Sequence, residues 1–164
     1  MAEGHSKLQI YQEAHRLAIE VHNLTLKLPS FERFEEGSQI RRSAKSVAAN
    51  IVEGYALRKY KNEFVHFLFR AYGSCEETGK HLKLLYDSKS LTDELLFNRL
   101  RDDYDTLCGK ILRYIQAIDQ TFEVPNFMKE PDVLYLVNEP INDDIDSPVT
   151  RNQKSVTPQH SRKK

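Results

Sequence analysis

Proline is nearly absent from the first three-quarters of this chain: of six prolines, only Pro29 precedes residue 125. A proline inside a helix removes a backbone donor and clashes with the turn before it. Glycine is as scarce, with six in 164 residues. Such a stretch leaves room for long helices, and the apolar spacing shows where they lie. From Leu8, apolar residues fall at Ile10, Ala14, Leu17, Val21, Leu24 and Leu28, in steps of four and three. Those steps draw one stripe along a helix, widened by Tyr11, Ala18 and Thr25. Pro29 ends it, because the residue before a proline is pushed out of helical geometry. The first helix is therefore expected over about 7–28.

Three more stripes follow. Residues 29–36 read as a short connection, with Phe31 and Phe34 covering the end of the bundle. Glu35 and Glu36 suit the positive end of the next helix dipole. The second helix, about 36–57, buries Ile40, Ala44, Val47, Ile51 and Tyr55. Gly54, near its end, either lets a neighbouring helix come close or caps the helix. The third, about 61–88, buries Phe64, Phe67, Leu68, Ala71, Cys75, Thr78, Leu82 and Leu85. The fourth, about 91–122, buries Leu100, Tyr104, Leu107, Ile111, Ile115, Ile118 and Phe122. Ser90 is expected to cap it, with Asp93 reaching back. Short connections between four helices imply an all-α, antiparallel up-down four-helix bundle over residues 1–123. From 124 to 164 the periodicity is lost, and composition predicts a disordered tail. One apolar run, residues 133–137, could dock on the bundle or add a strand to a partner, or do neither.

Net charge is zero but unevenly placed. Residues 1–122 carry 18 basic and 17 acidic residues, residues 123–146 carry 1 against 7, and residues 147–164 carry 5 against none. A near-neutral bundle counts against tight, non-specific nucleic-acid binding. The densest basic cluster is Arg41, Arg42, Lys45, Arg58, Lys59 and Lys61. It reads either as a solvated face, paired with glutamates of a neighbouring chain, or as a phosphate-contacting patch. Val65, Phe69 and Tyr72 fall to one side of the third helix's core stripe. They form a second apolar face that predicts self-association.

The sequence carries no catalytic constellation. Glu63 and His66 have the E-x-x-H spacing of di-iron bundles, but such sites need a second pair and two more inward glutamates. His15 and His22 have no carboxylate or cysteine in register. Cys75 and Cys108 make neither a disulfide framework nor a metal spacing and fall beside core stripes. Phosphate-loop and nucleophile-elbow patterns are missing. No cofactor, metal or small-molecule substrate is expected, and the reading is non-enzymatic. The N-terminus lacks a basic–apolar–small leader, and no apolar run approaches the ~20 residues of a membrane span. A cytoplasmic location without a membrane partner is the expectation.

Ser38-Gln39-Ile40-Arg41-Arg42, Ser46, Asn50-Ile51 and Glu53-Gly54 match a longer pattern. So do Tyr11-Gln12, Ala14-His15 and Leu17 upstream, and Glu63-Phe64, Phe67-Leu68, Ala71, Gly73-Ser74 and Glu77 downstream. Over about residues 8–122 the chain resembles the 23S rRNA intervening-sequence proteins. Ala48 and Ala49 stand where that family usually has Pro and Ser, so a kink is not expected there. The resemblance implies an all-α bundle, often a homopentamer arranged as a barrel. It also implies kinship with the accessory variability determinant of diversity-generating retroelements, a basic relative that works with a reverse transcriptase and RNA. Asn50, Glu53, Gly73 and Ser74 match family positions and are read as helix packing and hydrogen bonding. Two functions follow as expectations. One is a homo-oligomer, pentameric by resemblance, that binds RNA or a reverse transcriptase-type nucleoprotein. The other is a scaffold that recruits a protein partner through its tail.

Overall fold

The computed structural model describes residues 4–121. A 3-10 turn, Gly4–Lys7, leads into α1 (Gln9–Thr25), α2 (Ser30–Phe34), α3 (Glu36–Ala56), α4 (Lys61–Asp87) and α5 (Glu94–Ile118). The four long helices form the expected bundle. Each packs on the next in chain order, and α1 meets α5 to close the square.

Side-chain pairs show the antiparallel directions. Between α3 and α4, Ser46 accepts from Ser74 (2.9 Å) and Ser43 from Thr78 (2.9 Å), so one helix descends as the other rises. Between α1 and α5, Lys110 pairs with Glu13, Arg16 with Asp103, and Arg99 with Glu20. Burial alone would raise the Glu20 pKa, but hydrogen bonds from Arg99 and Arg16 outweigh it and hold the carboxyl below its ordinary value.

The stripes enter one core, although Tyr55, Phe67 and Ile118 are only half-buried. Leu17, Val21, Ile40, Val47, Ile51, Leu68, Leu82, Leu100 and Ile111 are essentially inaccessible to solvent. Phe97, Cys108 and Leu112 join them from α5. Those three lie beside the stripe read from sequence and widen it, with Phe97 stacked on Tyr86 of α4. α3 runs unbroken through Ala48 and Ala49. Gly54 allows close approach: a Cβ there would stand 2.9 Å from Phe67 Cβ and 3.0 Å from Phe64 Cδ2.

Local expectations failed at the connections. Residues 30–34 are a short helix, and Phe31 and Phe34 are 72% and 78% exposed, so they do not cover the bundle end. α2 is tied down by polar contacts instead: Arg33 Nε donates to Leu28 O (3.0 Å) and Ser90 Oγ to Glu32 Oε2 (2.9 Å). Ser90 is thereby engaged, and Asp93 caps α5 by accepting from the Leu96 N–H at 2.9 Å. Lys89 takes a left-handed φ of 64°, and the Leu91 N–H returns to Leu85 O (2.9 Å). The chain needs these residues to turn, which delays the helix by three positions. At the other end α5 stops at Ile118. Phe122, the boundary near 123, and residues 133–137 lie outside the described residues.

Tyr104 carries a buried oddity. It is 2% exposed, and its Oη finds no hydrogen-bond partner among the described residues. Burial pushes the phenol well above its ordinary pKa. An unpaired buried hydroxyl costs roughly 1–3 kcal/mol. Tyr104→Phe is therefore expected to stabilise the protein by about 1 kcal/mol. The gain would be read as a higher urea midpoint with an unchanged slope.

Candidate nucleic-acid interface

A hydrogen-bonded seam sets the α3–α4 pair. Asn50 Nδ2 donates to Ser46 O (2.8 Å) and Ser46 Oγ (3.0 Å), and Thr78 Oγ1 also reaches Ser74 O (2.8 Å). Asn50 and Ser74 thus take the packing role read for them. Glu53 and Gly73 face solvent. With the inner face of α3 committed to core and seam, its outer face is left to carry charge.

The six basic residues do not form one patch. α3 has 21 residues and rises about 31 Å, which separates Lys45 from Arg58 by roughly 20 Å along the axis. Near the start of α3, Arg41 is half-buried and donates from Nη2 to Arg33 O (2.9 Å), bracing α2. Arg42 and Lys45 are exposed and make no ion pair among the described residues. At the far end, Lys61 pairs with Asp119 (3.0 Å). Hydrogen bonds from Thr121 and then Lys61 hold the Asp119 carboxyl below its ordinary range. Arg58 donates from Nη1 to Tyr55 O (3.0 Å) and lays its guanidinium 4.3 Å from the centre of the Tyr55 ring. Lys59 is exposed, with no ion pair among the described residues.

Val65, Phe69 and Tyr72 are half-buried and pack against the core. The bundle itself covers part of the face that the sequence left bare. Burial first, then the Glu76 carboxylate, raises the Tyr72 phenol. Beside them Gly73 is exposed, with nothing within 4 Å of where its Cβ would stand.

Other chemistry is sparse. Cys75 and Cys108 are buried free thiols; a hydrogen bond from the Cys108 S–H to Cys75, and then burial, push the Cys108 thiol far up, which keeps it protonated. His81 sits between Glu36 and Glu77, a juxtaposition across α3 and α4 that sequence spacing does not reveal. Among the described residues no group of three His, Cys, Asp or Glu side chains is placed to hold a metal. No helix there is long and apolar enough to cross a membrane. A groove of about 360 Å³ between the start of α1 and the second half of α5 is lined by Leu8, Ile10, Tyr114 and Ala117, with Lys110 and Arg113. It holds no acid–base pair.

Comparison with known proteins agrees with this architecture. No curated protein matches the chain. A solved structure from Bacteroides thetaiotaomicron VPI-5482, a protein with unknown function from the S23 ribosomal protein family, is 24% identical. It superposes with a TM-score of 0.60 over 65% of this chain and 98% of its own. That likeness is one of fold. The model of the family described as 23S rRNA-intervening sequence protein matches residues 6–113, the span that contains the seam and both basic clusters, and the chain belongs to that family.

Proposed function

We propose that this protein is a non-enzymatic homo-oligomer, a pentameric ring in the arrangement its resemblance implies, that holds RNA or a nucleoprotein on the outer face of α3. The observation that carries the reading is the state of Arg42 and Lys45, exposed and without an ion pair among the described residues. A cation that meets phosphate without first leaving a carboxylate keeps the whole gain of counterion release. One such pair is a weak site, and repetition around a ring multiplies it. Support for a second copy comes from α4. Gly73 sits mid-helix, where glycine costs about 1 kcal/mol relative to alanine, and its bare surface permits close approach of another backbone. Val65, Phe69 and Tyr72 would supply apolar contact beside it.

The test is a double charge reversal. Arg42→Glu with Lys45→Glu is expected to weaken binding to a structured ribosomal RNA fragment by about 100-fold and to flatten the salt dependence by roughly one to two units. Sedimentation of both proteins should show one and the same mass, larger than a monomer. Unchanged affinity would remove the face of α3 as the site, and a monomeric mass would remove the ring.

A further inference from the structure

At the end of α3 the structure assembles a row of flat side chains from three segments. The His15 ring stacks on Tyr11, with centroids 5.8 Å apart and planes 22° from parallel. Tyr11 meets His5 edge-on at 4.8 Å, and His5 meets Tyr55 edge-on at 6.3 Å. Tyr55 carries the Arg58 guanidinium at 4.3 Å. α1, the N-terminal 3-10 turn and α3 thus contribute consecutive members. Gly4 lets the turn lie flat here, since a Cβ on it would stand 2.4 Å from Tyr55 Oη.

The two ends of the row face outward. His15 and Arg58 are exposed, each backed by a tyrosine that is only half-exposed. Tyr60 stands two residues beyond Arg58 and is 67% exposed. Lys7, at the end of the 3-10 turn, and Lys59, next to Arg58, are exposed. Aromatic rings that served only to fill the core would be covered on both faces. Here a tyrosine supports an exposed ring or guanidinium.

We propose that this row is a stacking platform for single-stranded nucleic acid, with unpaired bases resting on His15, Arg58 and Tyr60 and phosphates meeting Lys7 and Lys59. The inference deepens the RNA-binding reading and rests on it. Stacking on aromatic rings and guanidinium planes is how proteins hold unpaired bases, with little demand on sequence. A duplex keeps its base faces covered and offers this platform nothing beyond phosphates. The three cations here are too few to hold one tightly on charge alone. The platform stands roughly 20 Å along α3 from Arg42 and Lys45. The two surfaces can therefore be disabled separately.

The experiment uses the full chain and a short fluorescent oligouridylate, free or annealed to its complement, followed by anisotropy at low salt. The single strand is expected to bind at least tenfold tighter than the duplex. His15→Ala should weaken it about tenfold, and Arg58→Lys, which keeps the charge but loses the plane, should weaken it several-fold. His15→Phe should restore binding. Thermal melts confirm that each variant folds, and these surface positions should melt with the parent. Wild-type affinity in both His15→Ala and Arg58→Lys would overturn the platform, as would equal affinity for the duplex. Loss of binding only in the Arg42→Glu, Lys45→Glu protein would overturn it while sparing the broader reading. Absence of any RNA binding at low salt would overturn both.

Discussion

Gly54→Val is expected to lower stability by about 3 kcal/mol, at the upper end of the usual cost of overpacking. The first atom to be met is Phe67 Cβ, 2.9 Å from the new Cβ. That atom is fixed to the backbone of α4, so no rotamer change moves it aside. The Phe64 ring, 3.0 Å away, is itself buried among core residues. The two helices would have to part along their crossing, opening space deeper in the bundle. Gly54→Ala makes the same first contact without the extra methyls. Alanine also recovers about 1 kcal/mol of helix propensity, so the smaller change should cost only about 1 kcal/mol net. Urea titration of both variants checks the order, and a valine variant as stable as the parent would show that α3 and α4 do not approach this closely.

Leu17→Ala is expected to cost about 3 kcal/mol for a different reason, the void it leaves. Leu17 is 1% exposed and sits midway along the α1 stripe between Ile10 and Leu24. α1 is held by α3 and α5, and its apolar stripe supplies most of that hold. The ion pairs of Arg16, Glu20, Arg99 and Asp103 flank the same seam, but all four side chains are partly in water. Pairs of that kind contribute about 0–1 kcal/mol each and cannot offset a lost core leucine. Native-state hydrogen exchange should show α1 amides opening more readily in this variant than those of the α3–α4 pair. Uniform protection across all helices, with an unchanged urea midpoint, would contradict the assignment of Leu17 to the core centre.

The bundle was legible in the sequence because its signal is periodic and redundant. Each long helix shows five or more apolar residues in steps of three and four, and one misjudged position does not move the stripe. Connections are set by single residues, and there the reading failed. The capping-box pattern puts Ser90 at the cap of the last helix, with Asp93 reaching back. The left-handed turn at Lys89 and the bond from Ser90 to Glu32 decide for Asp93. Phe31 and Phe34 are expected to cover the bundle end, yet both are exposed and α2 is fastened by its polar groups. The basic cluster looked continuous because its members are near one another in sequence. Roughly 20 Å of helix axis between Lys45 and Arg58 divides it, and Arg41 and Lys61 turn out to be engaged within the bundle. The row from His15 to Arg58 had no sequence signal, since its members come from three segments up to 53 positions apart and only folding makes them neighbours.

The Ser43–Thr78 and Ser46–Ser74 bonds have a consequence for motion. Apolar ridges alone tolerate sliding, because one leucine can take the place of another a turn away. Hydroxyls do not: a shift of one turn, about 5.4 Å, would carry both pairs out of reach and bury oxygen atoms against methyl groups. The two central helices therefore share a fixed register, like a keyed shaft. Any shape change the molecule undergoes when it meets a partner belongs to α1, to α5, to the short α2, or to the helix ends. The keyed pair is the frame against which such movement would be measured.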